Sequence, residues 1–269
     1  MKWHFIRNGS SAQTRLVWFH GFMGSSKDWQ ETYAPQFEDY ENIFLDLPGH
    51  GQTDLDDTPT VKNLFDSLQG QLIEMAPRET IFIGYSMGGR VALHFQQCFP
   101  GLCSGFIGLS CTPGLQSASE REHRQKQDAL LMDKLKEIGP QRFLSEWYQL
   151  PLFHTLRDRP ELRSKLIKNR SKNDPDLLGK SLSLLGNGAL PNIWLDLDRI
   201  TSPVLLGCGG EDKKYMEINK ARTGIIPHAE RFVIDGCSHA FHLEKPLETI
   251  QTMRHFLGTR FKGDSRVSN

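Results

Sequence analysis

No stretch of this sequence is apolar for long enough to cross a membrane as a helix, which takes about 20 such residues, so membrane insertion is not expected. Charge of neither sign predominates: 32 Lys and Arg face 32 Asp and Glu. Nothing global draws the chain to nucleic acid or to a lipid surface. Cysteine is sparse and unpatterned. The five, Cys98, Cys103, Cys111, Cys208 and Cys237, are odd in number and form no C-x-x-C pair, which fits neither a disulfide framework nor a cysteine metal site. They read as reduced, mostly buried small hydrophobes. The opening MKWHFIRNGSSAQ has no continuous apolar core, so a secretory leader is not expected and a cytoplasmic location is. Internal repeats and low-complexity tracts are missing too. The tail KGDSRVSN (262–269) is expected to fray.

What is present is ordinary globular composition over 269 residues, 38% hydrophobic and 24% charged, enough for a large core. Short apolar runs ending in glycine-rich turns recur: RLVWFHGF (15–22), NIFLDLPGHG (42–51), TIFIGYSMGG (80–89), GFIGLSC (105–111), PVLLGCGG (203–210) and ERFVIDGCSH (230–239). Runs this short, rich in β-branched and aromatic residues and apolar on both faces, predict buried parallel strands. Helical patterns lie between them at 61–76 and 88–98. The alternation predicts an α/β fold with a mostly parallel, doubly wound sheet.

The alternation stops between residues 113 and 196. Strand-like runs give way to long polar-amphipathic stretches, SASEREHRQKQDALLMDKLKEIG, GPQRFLSEWYQL, PELRSKLIKNRSK and DPDLLGKSLSLLGNG. The expected organisation is a core domain from 1–112 and 197–269 with a helical cap, 113–196, inserted. The cap carries 14 Lys and Arg against 11 Asp and Glu, a net +3 that mildly favours an anionic ligand beneath it.

Within TIFIGYSMGG, Gly84-Tyr85-Ser86-Met87-Gly88 is a G-x-S-x-G pattern between a predicted strand and a predicted helix. That context lifts the pattern above chance, because the sharp turn holds a serine hydroxyl out at the carboxyl end of the sheet. A nucleophilic or basic serine needs a histidine and an orienting acid, in the chain order Ser, Asp or Glu, His. LLGCGGEDKKY offers Glu211 and Asp212 at one strand end; VIDGCSHAFHLEKP offers His239 and His242 at another. Asp212 and His239 follow their strands directly and are the expected acid and base. Glu211 is expected in solvent and His242 near the site entrance. The backbone N–H groups of Phe22, in WFHGFMGSS, and of Met87 would form an oxyanion hole. His20 is expected to hold that loop, and Asp46 and His50 to shape the turn DLPGHG.

Val17 to about Leu257 resembles the α/β-hydrolase superfamily, on HGFMGSS…W, DLPGHG, GYSMGGR, CGGEDKKY and GCSHAFHLEKP taken in that order. One branch is more similar, the 2-succinyl-6-hydroxy-2,4-cyclohexadiene-1-carboxylate synthases of menaquinone and phylloquinone biosynthesis. It is matched through EREHRQKQD (120–128), EWYQLPLF (146–153), NRSKN (169–173) and CGGEDKKY (208–215). Gly210 stands where that branch commonly has an acidic residue. The resemblance implies a lyase that removes a proton next to a ketone and expels pyruvate from a ring bearing three carboxylates. It needs no metal and no cofactor, and its partner is a small polycarboxylate rather than nucleic acid or membrane. It is expected as a monomer or small homo-oligomer. It also implies Arg124 and Arg170 as carboxylate clamps. Arg90 is independently informative, because at i+4 from Ser86 it lies on the serine's helix face, where an apolar residue would pack better. Lys214 would add to the positive field, Tyr85 would donate a hydrogen bond and Trp147 would close over the ring. Two other readings keep the scaffold: an ester or thioester hydrolase with Ser86 as covalent nucleophile, and a non-catalytic small-ligand receptor.

Overall fold

The computed structural model describes residues 2–9, 13–56 and 58–261; the tail expected to fray lies outside them. Seven strands form one sheet: β1 (Phe5–Gly9), β2 (Thr14–Phe19), β3 (Glu41–Leu45), β4 (Glu79–Tyr85), β5 (Gly105–Leu109), β6 (Val204–Gly209) and β7 (Ala229–Ile234). Their spatial order is β1-β3-β2-β4-β5-β6-β7. Every neighbouring pair is parallel except β1 with β3, where Phe5 faces Leu45 and Gly9 faces Glu41. The mostly parallel, doubly wound sheet expected from the six apolar runs is present. The seventh strand, β1, was not anticipated. Its sequence FIRNG is half polar and only partly buried, as an edge strand permits.

Helices cover both faces. They are α1 (Lys27–Gln30), α2 (Val61–Ile73), α3 (Met87–Cys98), α4 (Ala118–Ile138), α5 (Pro140–Trp147), α6 (Pro160–Arg170), α7 (Pro175–Leu185), α8 (Lys213–Thr223), α9 (Phe241–Glu244) and α10 (Pro246–Arg260). Strand side chains alternate between the two layers, as a pleat requires. Val17, Phe19, Ile43, Leu45 and Phe82 pack with α2 and α3. Leu16, Trp18, Phe44, Ile81 and Ile83 pack with Trp29, Tyr33, Phe37 and α10. Between β5 and β6 the described chain has α4 to α7 and two 3-10 segments, Pro151–Asp158 and Trp194–Arg199, with no strand. Met132, Leu135, Phe143, Leu144, Leu178, Leu182 and Leu185 from these helices join the same apolar cluster as Met87 and Val91 of α3.

α4 shows how a helix so polar is kept. It buries little besides Met132 and Leu135, but a capping box starts it: Ser117 Oγ accepts from Glu120 N at 3.1 Å and Glu120 Oε2 accepts from Ser117 N at 2.9 Å. Pro140, in the first turn of α5, begins the next helix without needing a backbone donor.

At the opposite end of the sheet from the carboxyl ends of the strands, Glu41 is 1% exposed and meets Arg7, Arg15 and Arg78. Arg15 is itself 3% exposed, so this carboxylate compensates charge that has little access to water. Glu41→Ala is expected to cost about 3 kcal/mol or more in urea unfolding, because it strands buried guanidinium groups. A loss under 1 kcal/mol would show that water already solvates them.

Candidate active site

β4 ends at Tyr85, and Ser86 then takes φ 50° and ψ −112° before α3 begins. For a residue with a side chain this is a strained conformation. It is held from several sides. Ser86 N donates to Leu109 O at 2.8 Å, and Arg90 N to Ser86 O at 3.1 Å. A Cβ on Gly88 would lie 2.2 Å from His20 O, and one on Gly84 2.4 Å from Gly89 Cα. Only glycine allows α3 to close against β2 and β4 this tightly.

Ser86 Oγ lies 2.9 Å from His239 Nε2, and His239 Nδ1 lies 2.9 Å from Asp212 Oδ2. Both imidazole and carboxylate are buried. Asp212 caps α8, where its Oδ1 accepts from Tyr215 N at 3.4 Å. Ser86, Asp212 and His239, spread over 153 positions of the chain, thus form one hydrogen-bonded line. Glu211 is exposed and takes no part.

Phe22 and Met87 border the same cleft. Met87 is the first residue of α3, where a backbone N–H has no acceptor inside the helix. The loop carrying Phe22 is fixed by two histidines. His20 Nε2 accepts from Leu47 N at 2.9 Å while its Nδ1 contacts Gly21 O at 2.7 Å. His50 Nε2 accepts from Met23 N at 3.1 Å while its Nδ1 faces Pro48 O at 3.2 Å. In each ring one nitrogen must accept and the other donate, which requires the neutral form. Burial lowers both, His50 to about 3. Asp46 ties the adjoining turn, accepting from Ser26 N at 2.6 Å and Gln52 N at 2.9 Å. His50 therefore does more than shape its own turn, since it also holds the Phe22 loop.

The cleft over Ser86 holds about 790 Å³ including its open mouth, within the range of small-molecule sites. Phe22, Leu131, Trp147, Leu152, Phe153 and Leu182 give it apolar walls. Trp147 stacks on Phe143 at 5.8 Å and meets Phe22 edge-on at 6.2 Å. Four cations line it, Arg90, Arg124, Arg170 and Lys214, and among the described residues no carboxylate does.

The four differ in their partners. Arg170 is buried; its Nη2 donates to Asp28 at 2.5 Å and its Nη1 to the Tyr148 hydroxyl at 2.9 Å. Burial opposes its charge, but Asp28 and the tyrosines outweigh that and raise its pKa. Arg124 donates to Asp128, one turn on, at 2.7 Å. Arg90 is 6% exposed. Its Nη2 donates to Leu185 O at 3.2 Å, its Nε has no partner, and no carboxylate of the described residues lies within ion-pair distance. Burial pushes it down to about 10, which leaves it charged at neutral pH. Lys214, on the rim, is lowered by burial and by Arg124 and likewise has no carboxylate partner among the described residues.

Tyr85 borders the cleft with its ring between His239, 5.4 Å away, and His242, 4.0 Å away. The expectation for His242 is corrected here. It is 2% exposed and packs behind Tyr85 against Trp29 and Tyr33, away from the entrance. Its place in α9 turns it toward the aromatic layer under the sheet. Besides the apolar Leu131, Leu152, Phe153 and Leu182, two polar lining residues were not anticipated. Tyr215, 4.8 Å from the His239 ring and raised to about 12 by burial, lies three residues after Asp212 on the same face of α8. Asn187, 5% exposed with Oδ1 unpartnered, follows α7 in an Asn-Gly pair that reads from sequence only as a turn. Among the described residues no group of three His, Cys, Asp or Glu is placed to hold a metal, and no helix is long and apolar enough to cross a membrane. All five cysteines are free, and all but Cys98 are buried.

Residues 16–252 match the model of the alpha/beta hydrolase family. A 2-succinyl-6-hydroxy-2,4-cyclohexadiene-1-carboxylate synthase from Escherichia coli is 30% identical over 252 residues, 93% of this chain and 96% of that protein. A Bacillus subtilis protein provisionally given the same name is 32% identical over 250 residues, 88% of each chain. The solved structure of MenH from S. aureus superposes with a TM-score of 0.90 at 28% identity, covering 97% of this chain and 99% of that one.

The neutral imidazoles make the site sensitive to acid. His50 titrates near 6.5 when unfolded but only near 3 when folded. Between those values the unfolded chain binds the extra proton, so stability is full above about pH 6.5 and falls as pH drops toward 3. His50→Gln, which keeps an acceptor for Met23 N, is expected to flatten the dependence of unfolding free energy on pH between 6 and 4 by about 1 kcal/mol per pH unit. An unchanged slope in urea titrations would mean that His50 carries a proton in the folded state.

Proposed function

The chain belongs to the alpha/beta hydrolase family, and from that premise we propose that it is a carbon–oxygen lyase acting on 2-succinyl-5-enolpyruvyl-6-hydroxy-3-cyclohexene-1-carboxylate. The products are 2-succinyl-6-hydroxy-2,4-cyclohexadiene-1-carboxylate and pyruvate, a step of menaquinone or phylloquinone biosynthesis. The observation that carries this reading is Arg90: a buried cation with no carboxylate at ion-pair distance among the described residues, one helical turn behind Ser86, in a cleft that they line with three further cations and no acid. An ester hydrolase for neutral substrates gains nothing from such a group, since an uncompensated buried charge is costly. A substrate with three carboxylates supplies the missing partners. The synthases among the relatives point the same way.

In this reading His239, oriented by Asp212, accepts the Ser86 hydroxyl proton and makes Ser86 the base. Ser86 removes the ring proton next to the succinyl ketone. The electron pair forms a double bond at that carbon, the existing ring double bond shifts by one position, and the bond from the ring to the enolpyruvyl oxygen breaks. The leaving enolate takes a proton on its methylene carbon and becomes pyruvate, so one proton is lost and one gained. The ketone oxygen carries charge in the transition state, and the N–H groups of Phe22 and Met87 are the proposed donors to it. Arg90, Arg124, Arg170 and Lys214 hold the carboxylates, and Arg is the better choice where a planar fork meets a carboxylate. Tyr85 and Trp147 complete the ring's pocket, and helices 113–196 serve as its cap.

Purified protein is expected to release pyruvate from the enolpyruvyl substrate in a coupled lactate dehydrogenase assay. Ser86→Ala should lose at least about 10³-fold in kcat/KM. Arg90→Met, which fills the same space without charge, should lose about 10²-fold. Pyruvate release no faster than in buffer would overturn the lyase reading. A trapped acyl group on Ser86 after an activated ester, with no pyruvate, would replace it with a hydrolase. Tight binding of the polycarboxylate with no turnover would replace it with a receptor.

A further inference from the structure

The loop that carries His239 is clamped from two sides. On the sheet side, Glu211 N donates to Cys237 O at 2.9 Å, which joins it to the loop bearing Asp212. Gly209 lies so close beneath that an added Cβ would sit 2.2 Å from Cys237 O and 2.3 Å from Ser238 O. On the other side the clamp comes from the 3-10 segment Pro151–Asp158 of the helical insert, more than 80 residues away in sequence. Thr155 Oγ1 accepts from Ser238 N at 2.9 Å and donates to Ser238 Oγ at 2.6 Å. His239 N donates to Leu152 O at 3.3 Å. Ser238 Oγ in turn reaches the buried Glu244 carboxylate at 3.4 Å, and Arg159, just past the 3-10 segment, lies 3.7 Å from the other oxygen of Glu244. The Phe153 ring also packs edge-on against the His239 ring at 5.8 Å.

We propose that Thr155, acting through Ser238, is a positioning residue for the catalytic imidazole, so that the reactivity of Ser86 depends on a hydrogen bond supplied by the helical insert. One hydroxyl satisfies both the backbone donor and the side-chain oxygen of the residue directly before His239. Without it Ser238 N–H has no acceptor in a buried position, a loss the loop can relieve only by moving. A shift at residue 238 is passed to the His239 ring, and the 2.9 Å contact to Ser86 Oγ tolerates little misplacement. This rests on Ser86, His239 and Asp212 working as a triad, which is part of the function proposed above.

The test separates the two ideas by reading Ser86 in two ways: its rate of phosphonylation by a fluorophosphonate, followed by intact mass, and pyruvate release. Thr155→Val keeps the shape and removes the hydroxyl. It is expected to slow phosphonylation about tenfold and to lower kcat about tenfold with KM within about twofold of the parent. Thr155→Ser should restore both. Parent-like phosphonylation of Thr155→Val overturns the proposal, as does an equal loss in Thr155→Ser. Should Thr155→Val not fold, Ser238→Ala carries the test, since it removes the acceptor of the Thr155 hydroxyl and leaves the backbone bond. It is expected to slow phosphonylation about threefold, and a parent-like rate overturns the proposal. If no form of the protein releases pyruvate but the phosphonylation order holds, the lyase reading falls and the positioning role stands. Pyruvate release unaffected by Thr155→Val means the reverse.

Discussion

The close approach of α3 to the ends of β2 and β4 is the constraint on which the site depends. It sets Ser86 at a positive φ, puts the first N–H of α3 beside the hydroxyl, and brings the loop after β2 within reach. The cost is a strained residue and a row of positions where no side chain fits. The gain is that the serine's direction is fixed by backbone packing and leaves little to rotamer preference. The same approach makes α3 an interior helix, with every residue from Met87 to Gln96 buried. Arg90 is carried inside by that geometry. At i+4 from Ser86 it can only point along the face that borders the cleft.

A guanidinium in that position has to be offset by something. Arg170 and Arg124 already have Asp28 and Asp128, so the protein itself neutralises them and fixes their direction. Arg90 has a carbonyl and, among the described residues, no carboxylate within ion-pair distance, Asp128 acting on it only from further off. His94, one turn further along α3, does not help: burial and Arg90 together lower it to about 3, and it stays neutral. Two of the cleft's cations are therefore paired within the protein, and two, the buried Arg90 and the exposed Lys214, have no carboxylate at ion-pair distance among the described residues. Such a division favours a ligand that carries several carboxylates at fixed spacing over one that carries a single charge.

Much of this was readable in the sequence, and the reasons are local. A parallel strand buried on both faces is written as a continuous apolar run, so β2 to β6 could be read directly; β7 (AERFVI), expected as a buried strand too, is instead an only partly buried edge that keeps Glu230 and Arg231 exposed. A serine elbow is written in adjacent residues, and the acid and base follow their strand ends by at most a few positions. What could not be read depends on contacts between distant segments. FIRNG has no alternation that sets β1 apart from a loop; it becomes a strand because β3 offers an open edge. The pairing of Arg170 with Asp28 spans 142 positions. His242 differs from His239 by a single helical step, yet one ring faces Ser86 and the other faces Trp29. Only the direction in which α9 leaves β7 separates them, and no residue type encodes that direction. PLFHTLRD (151–158), which meets Ser238 and His239, folds as a 3-10 segment with a kink at Phe153. Neither a period of 3.6 nor one of 2 describes it.

The helices of the insert and the core are joined by one apolar cluster that runs from Val17 and Phe19 through Met87 and Val91 to Leu135, Leu144 and Leu182. Packing of that kind is stiff, because dense interiors transmit displacement. It also explains why the helices over the cleft can be so polar on their outer faces: their stability comes from an inner stripe and from caps such as Ser117 with Glu120. The polar contacts of the insert with the core are then free to serve geometry. Asn173 Nδ2 donates to Met23 O at 2.7 Å, on the loop that carries Phe22, and Arg170 reaches Asp28 beyond it. Leu152 and Thr155 hold the loop that carries His239. The loop of the proposed oxyanion donor and the loop of His239 are thus both fixed by residues of the insert, although each loop follows a strand of the sheet. The insert therefore contributes both walls of the cleft over Ser86 and contacts that fix the loops around it.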